Sequence, residues 1–364
     1  MKAVRAAAWL VIAYLAVHIL VVVQDLLIPL VLAIFFWFLI TNLRLFLGRL
    51  ELAGRRLPTW ASFVAALALI VLAALALVDL VETNVSRVAE EGQVYQRNAE
   101  ARIAEIFDGL GLDEPPALPE LMNRVDLEVV VSRSATAIAS ILGNAGLVAA
   151  YLLFLFVEER YFDRKLDALF PDPTRRGEMR RLFTKIGEDT RAYIGLKTLV
   201  SLMTAVPSWL ILVLVGLDYA EFWALLIFVF NFVPNIGSLV ATLLPAALAL
   251  VQFDSLQPFF IVAGGVMAMQ LGVANLIEPK IMGRSLNLSP LVIILSLVVW
   301  GKAWGIAGMF LCVPIMVVLM IVFGHFDSTR WLAVLLSEDG QLSSDESDED
   351  SLADTIEVIP QVSR

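Results

Sequence analysis

Apolar residues in this chain do not line one face of a helix. They run on for whole stretches longer than the roughly 18 residues that cross the hydrocarbon of a bilayer. The clear runs are Ala6–Val23, Leu26–Leu47, Ser62–Leu80, Ala137–Val157, Ile194–Leu217 and Phe259–Ile277. Two longer runs, Phe222–Val251 and Pro290–Phe323, are interrupted by polar and helix-weakening residues. The pattern predicts an all-α integral membrane protein of about eight transmembrane elements, two of them broken or re-entrant hairpins, with a small extracytoplasmic helical insert. Composition agrees: the 364 residues are 59% hydrophobic, and the mean hydropathy is +0.82.

Charge changes the picture at two places. The formal net charge is −10, but from Ser337 onward nine acids face only Arg364. The acidity is therefore largely a property of the last segment, residues 337–364, whose low apolar content reads as disordered. Basic residues cluster at Lys2 and Arg5, in the Arg44–Pro58 loop, and in a loop over 158–191. The excess of Lys and Arg places all three in the cytoplasm, with a hairpin turning near Gln24 and Asp25. The expected layout is N-terminal membrane helices (1–81), an external helical insert (82–136) broken at Asp113–Pro119, and a membrane helix with a basic loop (137–193). A core transport region (194–325) follows, then the acidic tail. The first run lacks a cleavage signal and reads as a span.

The interrupted runs compare well. "FWALLIFVFNFVPNIGSLVATLLPAALALV" and "LVIILSLVVWGKAWGIAGMFLCVPIMVVLM" each carry about nine apolar residues, a Gly-containing break, and a later proline, Pro245 or Pro314. One reading is a pair of re-entrant hairpins entering from opposite faces, an inverted repeat with a midplane site. The other is two kinked or tilted helices. In the first break Pro234 removes a backbone donor and Gly237 adds freedom. Unpaired backbone groups in hydrocarbon cost several kcal/mol, so the break needs a polar cavity or protein around it. Asn231 and Asn235 would supply donors and acceptors to such a cavity, or simply cap a kinked helix.

Ionisable residues within the membrane are the next candidates. Lys302 sits in the second break, either at mid-membrane facing an anionic group or as an interfacial anchor between Trp300 and Trp304. Glu278 ends the sixth run, where Pro279 leaves carbonyls free; with Asn275 it suits Na⁺ or H⁺, or it pairs with Lys280 or Arg284. Gln270 could line the same cavity. Gly301, Gly305 and Gly308 allow close helix approach. His18, His325 and the single cysteine, Cys312, read as structural. No Walker loop, HExxH motif or nucleophile–base pair occurs, so no enzyme, cofactor, metal or nucleic-acid partner is expected.

"FNFVPNIGS", followed by "NLIEPKIMGRSLNLSPLVIILSLVVWGKAWGIAGMFLCVPIMVV", resembles the autoinducer-2 exporter family of bacterial and archaeal permeases. The match is strongest over about 190–325. The resemblance implies a homo-oligomeric secondary transporter of the cytoplasmic membrane, its partners a small solute, lipid and a coupling cation (H⁺ or Na⁺). By matching position it points to Asn231, Pro234, Gly237, Glu278, Pro279, Gly283, Gly301, Gly305 and Pro314, while Lys302 and the acidic tail depart from the family pattern. Export of a small polar molecule such as autoinducer-2, coupled to an ion gradient, is the leading expectation. The alternatives are Na⁺(Li⁺)/H⁺ antiport, a passive pore and a non-transporting scaffold.

Overall fold

The computed structural model describes residues 18–49, 51–52, 55–76, 78–80, 145–282 and 287–341, with Val11, Leu15, Thr83, Arg97 and Asn98. Most of the first apolar run, nearly all of the insert at 82–136, Gly283 and the tail beyond Gln341 lie outside the described residues. Among the described residues the elements are helices joined by turns, apart from a two-residue antiparallel pairing, Glu51–Leu52 with Arg55–Arg56, in the first basic loop and a single bridge between Leu288 and Ser337. This is the expected all-α class.

Four apolar helices precede or open the core: α1 (Gln24–Arg49), α2 (Thr59–Leu80), α3 (residues 145–159) and, beyond a short helix α4 (Phe162–Leu169), the 43-residue α5 (Pro173–Val215). Then come α6 (Ala220–Phe230), α7 (Ile236–Gln252) and α8 (Gln257–Gly272), which continues through a π-turn (Val273–Ile277) into α9 (Glu278–Met282). The last are α10 (Pro290–His325) and α11 (Arg330–Leu336). The chain forms two compact units. One holds Met1–Arg160 and Ile194–Ile281, the other Tyr161–Tyr193 and Met282–Arg364.

Two local outcomes differ from the sequence reading. Val23 alone joins α1 to the helical residues before it: its N–H donates to the Ile19 carbonyl (2.9 Å), and Leu27 N–H donates to its own (3.0 Å). These are helical bonds on both sides of Val23, and Gln24 and Asp25 already lie within α1, so no turn forms at Gln24 and Asp25. The basic stretch at 158–191, read as a loop, is instead α4 and the first half of α5. Asp172 accepts from the Thr174 N–H at 3.1 Å as an N-cap, Pro173 takes the first helical position, and Arg, Met, Leu and Lys favour helix thereafter. Within that second unit Phe162 meets Phe183 edge-on, and Arg180 pairs with Asp163 at 3.1 Å. The pair is exposed, so it orients the helices more than it stabilises them.

The first unit has its apolar core around Leu212, Ile227, Ala249, Val262 and Val266, all fully buried. Small residues such as Ala241, Ala246 and Ala249 let α7 pack closely. Gln252 fixes its end, donating to the Gly216 carbonyl and accepting from the Asp218 N–H, both at 2.9 Å.

Helix α5 is built inside out compared with a helix of a soluble protein. Lys197, Ser201, Thr204 and Ser208 are buried at 4-3-4 spacing, one helical face. Leu199, Leu210 and Leu214, on the other faces, are 46%, 51% and 77% exposed. Polar atoms inside and leucines outside suit a helix whose solvent is lipid. With five helices among the described residues long and apolar enough to cross a bilayer, the protein is a multi-pass membrane protein.

Candidate functional site

The site grows from that buried polar face. Lys197 Nζ donates to Glu278 Oε1 at 2.6 Å, with both side chains largely enclosed. Such enclosure is costly, since each charge has largely left water for the other. One turn along α5, Ser201 Oγ accepts from Asn231 Nδ2 at 3.2 Å. Thr204 and Ser208 donate to the Val200 and Thr204 carbonyls, at 3.0 and 2.8 Å. Pro207 lies in this stretch without an N–H of its own.

Asn231 is delivered to Ser201 by the break between α6 and α7. It ends α6 in helical geometry, and the next four residues turn the chain over, with Val233 N–H donating to Phe230 carbonyl at 2.8 Å. Asn235 takes φ +60° and ψ −56°, a conformation side chains tolerate poorly and asparagine better than most. Gly237 then comes so close that a Cβ would overlap the Phe230 carbonyl oxygen. Seven residues of straight helix would separate these atoms by about 10 Å, so the chain reverses here. Phe232, buried in the turn, packs edge-on against Phe35 of α1 at 5.9 Å.

Glu278 is delivered by the π-turn. In a regular helix residues eight apart point about 80° apart; one extra residue in a π-turn makes them equivalent to seven apart, about 20°. Gln270 and Glu278, on either side of Val273–Ile277, therefore share a face. Gln270 is 4% exposed, and its Nε2 has no hydrogen-bond partner among the described residues. Ile211 lies 3.2 Å from where a Cβ on Gly265 would stand, while Lys197 meets Glu278. These two contacts run α5 and α8 antiparallel and place Gln270 at the level of Thr204 and Ser208.

Of the residues singled out by sequence, Asn231, Gln270 and Glu278 thus fall within the first unit along one polar seam. Asn235 is exposed and shapes the turn, its carbonyl accepting from the Ser238 hydroxyl. Asn275 is exposed and donates to the Leu271 carbonyl of its own helix at 2.9 Å, because the π-turn rotates it away from Glu278. Pro279 is exposed and Pro245 is buried inside α7. Lysine 197 is the partner that sequence reasoning missed, with Ser201, Thr204 and Ser208. The regular polar spacing in "KTLVSLMTAVPS" was the available signal.

In the second unit the other break repeats the device. Gly305 takes φ +60° and ψ −140°, and a Cβ on Gly308 would overlap the Trp300 carbonyl oxygen. A Cβ on Gly301 would lie 3.0 Å from Met309. The chain folds back here as well, with arms of residues 290–304 and 306–325. Pro314 is buried in the second arm, and Lys302 is exposed near the tip. The root of the acidic tail is pinned to the entry of this hairpin. Ser289 N–H donates to the Leu336 carbonyl, Glu338 N–H to the Asn287 carbonyl, and Asn287 Nδ2 to Asp339 at 2.9 Å.

The seam offers hydroxyl and amide groups beside one ion pair among the described residues. Known proteins agree with a transport role. A family model described as AI-2E family transporter matches residues 7–327. The AI-2 transport protein TqsA of Escherichia coli is 31% identical over 61% of this chain and 68% of its own. A Haemophilus influenzae protein predicted to act in transport is 29% identical over 78% of this chain and 83% of its own. Another, YhhT of Escherichia coli, also predicted to be a transport protein, is 28% identical over 86% and 88%. Inside-out helices, paired reversals and a match across nearly the whole length converge: this chain belongs to the AI-2E transporter family.

Proposed function

We propose that the protein exports a small polar organic solute of the autoinducer-2 kind across the cytoplasmic membrane, driven by an ion gradient. The observation that carries this reading is the buried polar seam of Lys197, Ser201, Asn231, Gln270 and Glu278, set within helices whose outer faces are apolar. A permease needs such a seam, because a solute crossing hydrocarbon must exchange water for fixed donors and acceptors. The relative TqsA carries AI-2 in its name, which makes that solute the first to test.

In this reading each of the two reversals is a re-entrant hairpin, with the N-terminus and the acidic tail in the cytoplasm. A coupling proton or Na⁺ would act at Glu278 by competing with Lys197. Na⁺(Li⁺)/H⁺ antiport as the main activity is not adopted, because the relative TqsA is named for AI-2.

The test is efflux of autoinducer-2 from preloaded proteoliposomes, with and without an imposed pH or Na⁺ gradient. Saturable efflux above empty liposomes, faster with one gradient, is expected. Efflux equal to that of empty liposomes, with the protein folded and inserted, removes autoinducer-2 as the cargo. Saturable efflux that ignores both gradients removes the coupling.

A further inference from the structure

The buried amide nitrogen of Gln270 is the one polar atom along the seam that nothing explains. A buried donor without an acceptor loses its water and gains nothing in return, so native proteins keep few of them. Asn231 and Lys197, its neighbours along the seam, both have partners. The Gln270 Nε2 has none among the described residues, although the side chain is only 4% exposed. The π-turn rotates this side chain onto the face of Glu278. A regular helix would point it elsewhere.

What lies at its level on α5 has the opposite need. Thr204 and Ser208 spend their hydroxyl hydrogens on carbonyls of their own helix. Their lone pairs remain able to accept. A ligand group that suits both sides must accept from Gln270 and donate to a hydroxyl oxygen. A carbonyl only accepts, and an ammonium only donates. A hydroxyl group does both.

We propose that Gln270 is the selectivity residue for hydroxyl-bearing cargo. Its amide N–H donates to a hydroxyl oxygen of the solute, whose hydrogen passes to Thr204 or Ser208. This rests on the seam being the transport path, and it adds the residue that recognises the hydroxyl groups of the cargo. A site built to satisfy a hydroxyl rejects the analogue lacking it more strongly than an apolar pocket rejects a methylene.

The test compares radiolabelled erythritol with butane-1,2,4-triol, one hydroxyl poorer, as cargo for the full-length protein in proteoliposomes. Wild type should show a KM for erythritol lower by about tenfold, the worth of one well-formed buried hydrogen bond. Gln270→Leu should bring the two KM values together. Its thermal stability should equal or exceed wild type, because the unsatisfied donor is gone. Gln270→Asn, which keeps the amide, should restore part of the preference. Saturable transport with the full preference retained in Gln270→Leu overturns the role of Gln270 alone. No saturable transport of either solute by folded wild type overturns the hydroxyl-solute class, and the inference falls with it.

Discussion

The two reversals use one device in two settings. At 231–237 and at 300–308 a residue with φ near +60° turns the chain, and a glycine a few residues later rests on a carbonyl oxygen from the incoming arm. The settings differ in what the turn presents. Asn231 reaches Ser201, beside the Lys197–Glu278 pair, whereas Lys302 stays exposed. The break itself is therefore a packing solution. Its chemistry comes from the helix it touches.

That comparison can be broken at its shared element first. Gly237→Val and Gly308→Val should each abolish folded protein, since a side chain there meets backbone rather than a flexible neighbour; the cost exceeds the ~3 kcal/mol of ordinary overpacking. Gly264→Ala and Gly272→Ala, where nothing lies within 4 Å, should be silent. Monodisperse yield and thermal unfolding in detergent separate the two classes. A folded Gly237→Val would show that the close approach is not needed.

The next test concerns what the first reversal has and the second lacks. Glu278→Gln or Lys197→Met leaves one enclosed group without its partner, which should cost about 3 kcal/mol. The double variant Lys197→Met with Glu278→Leu should recover most of that, because an apolar pair avoids the desolvation penalty. Equal stability of singles and double would mean that the pair is not coupled. Asn231→Leu should cost about 1 kcal/mol, one hydrogen bond to Ser201. The smallest effect is expected at the second tip: Lys302→Ala should change stability by less than about 0.5 kcal/mol. A larger loss there would give Lys302 a structural role that its exposure does not suggest.

Much of this was legible in the sequence for a simple reason: lipid tolerates few polar residues, so apolar runs stand out, and so do interruptions such as "NFVPNIGS". Three things were not legible. The helix at 173–193 was hidden because its charges read as a loop in a topology argument, although Arg, Met and Leu are good helix formers and Leu182 is buried. Lys197 lay unremarked within the apolar run Ile194–Leu217, and only the fold brings Glu278, 81 residues away in sequence, against it. The π-turn at Val273–Ile277 has no residue signature, yet it separates Asn275 from Glu278 and aligns Gln270 instead. Spacing arguments assume a regular helix. They failed where the helix was not regular.

The central claim is that solute passes along the seam anchored by Lys197 and Glu278. The most direct measurement is saturable autoinducer-2 flux in proteoliposomes carrying wild type, each single variant and the Lys197→Met, Glu278→Leu double, at matched folded protein. Flux in wild type alone, lost in the double even though its stability is recovered, is the predicted result. Wild-type flux in the stable double would contradict it, since the pair would then be a structural tie beside a path that lies elsewhere.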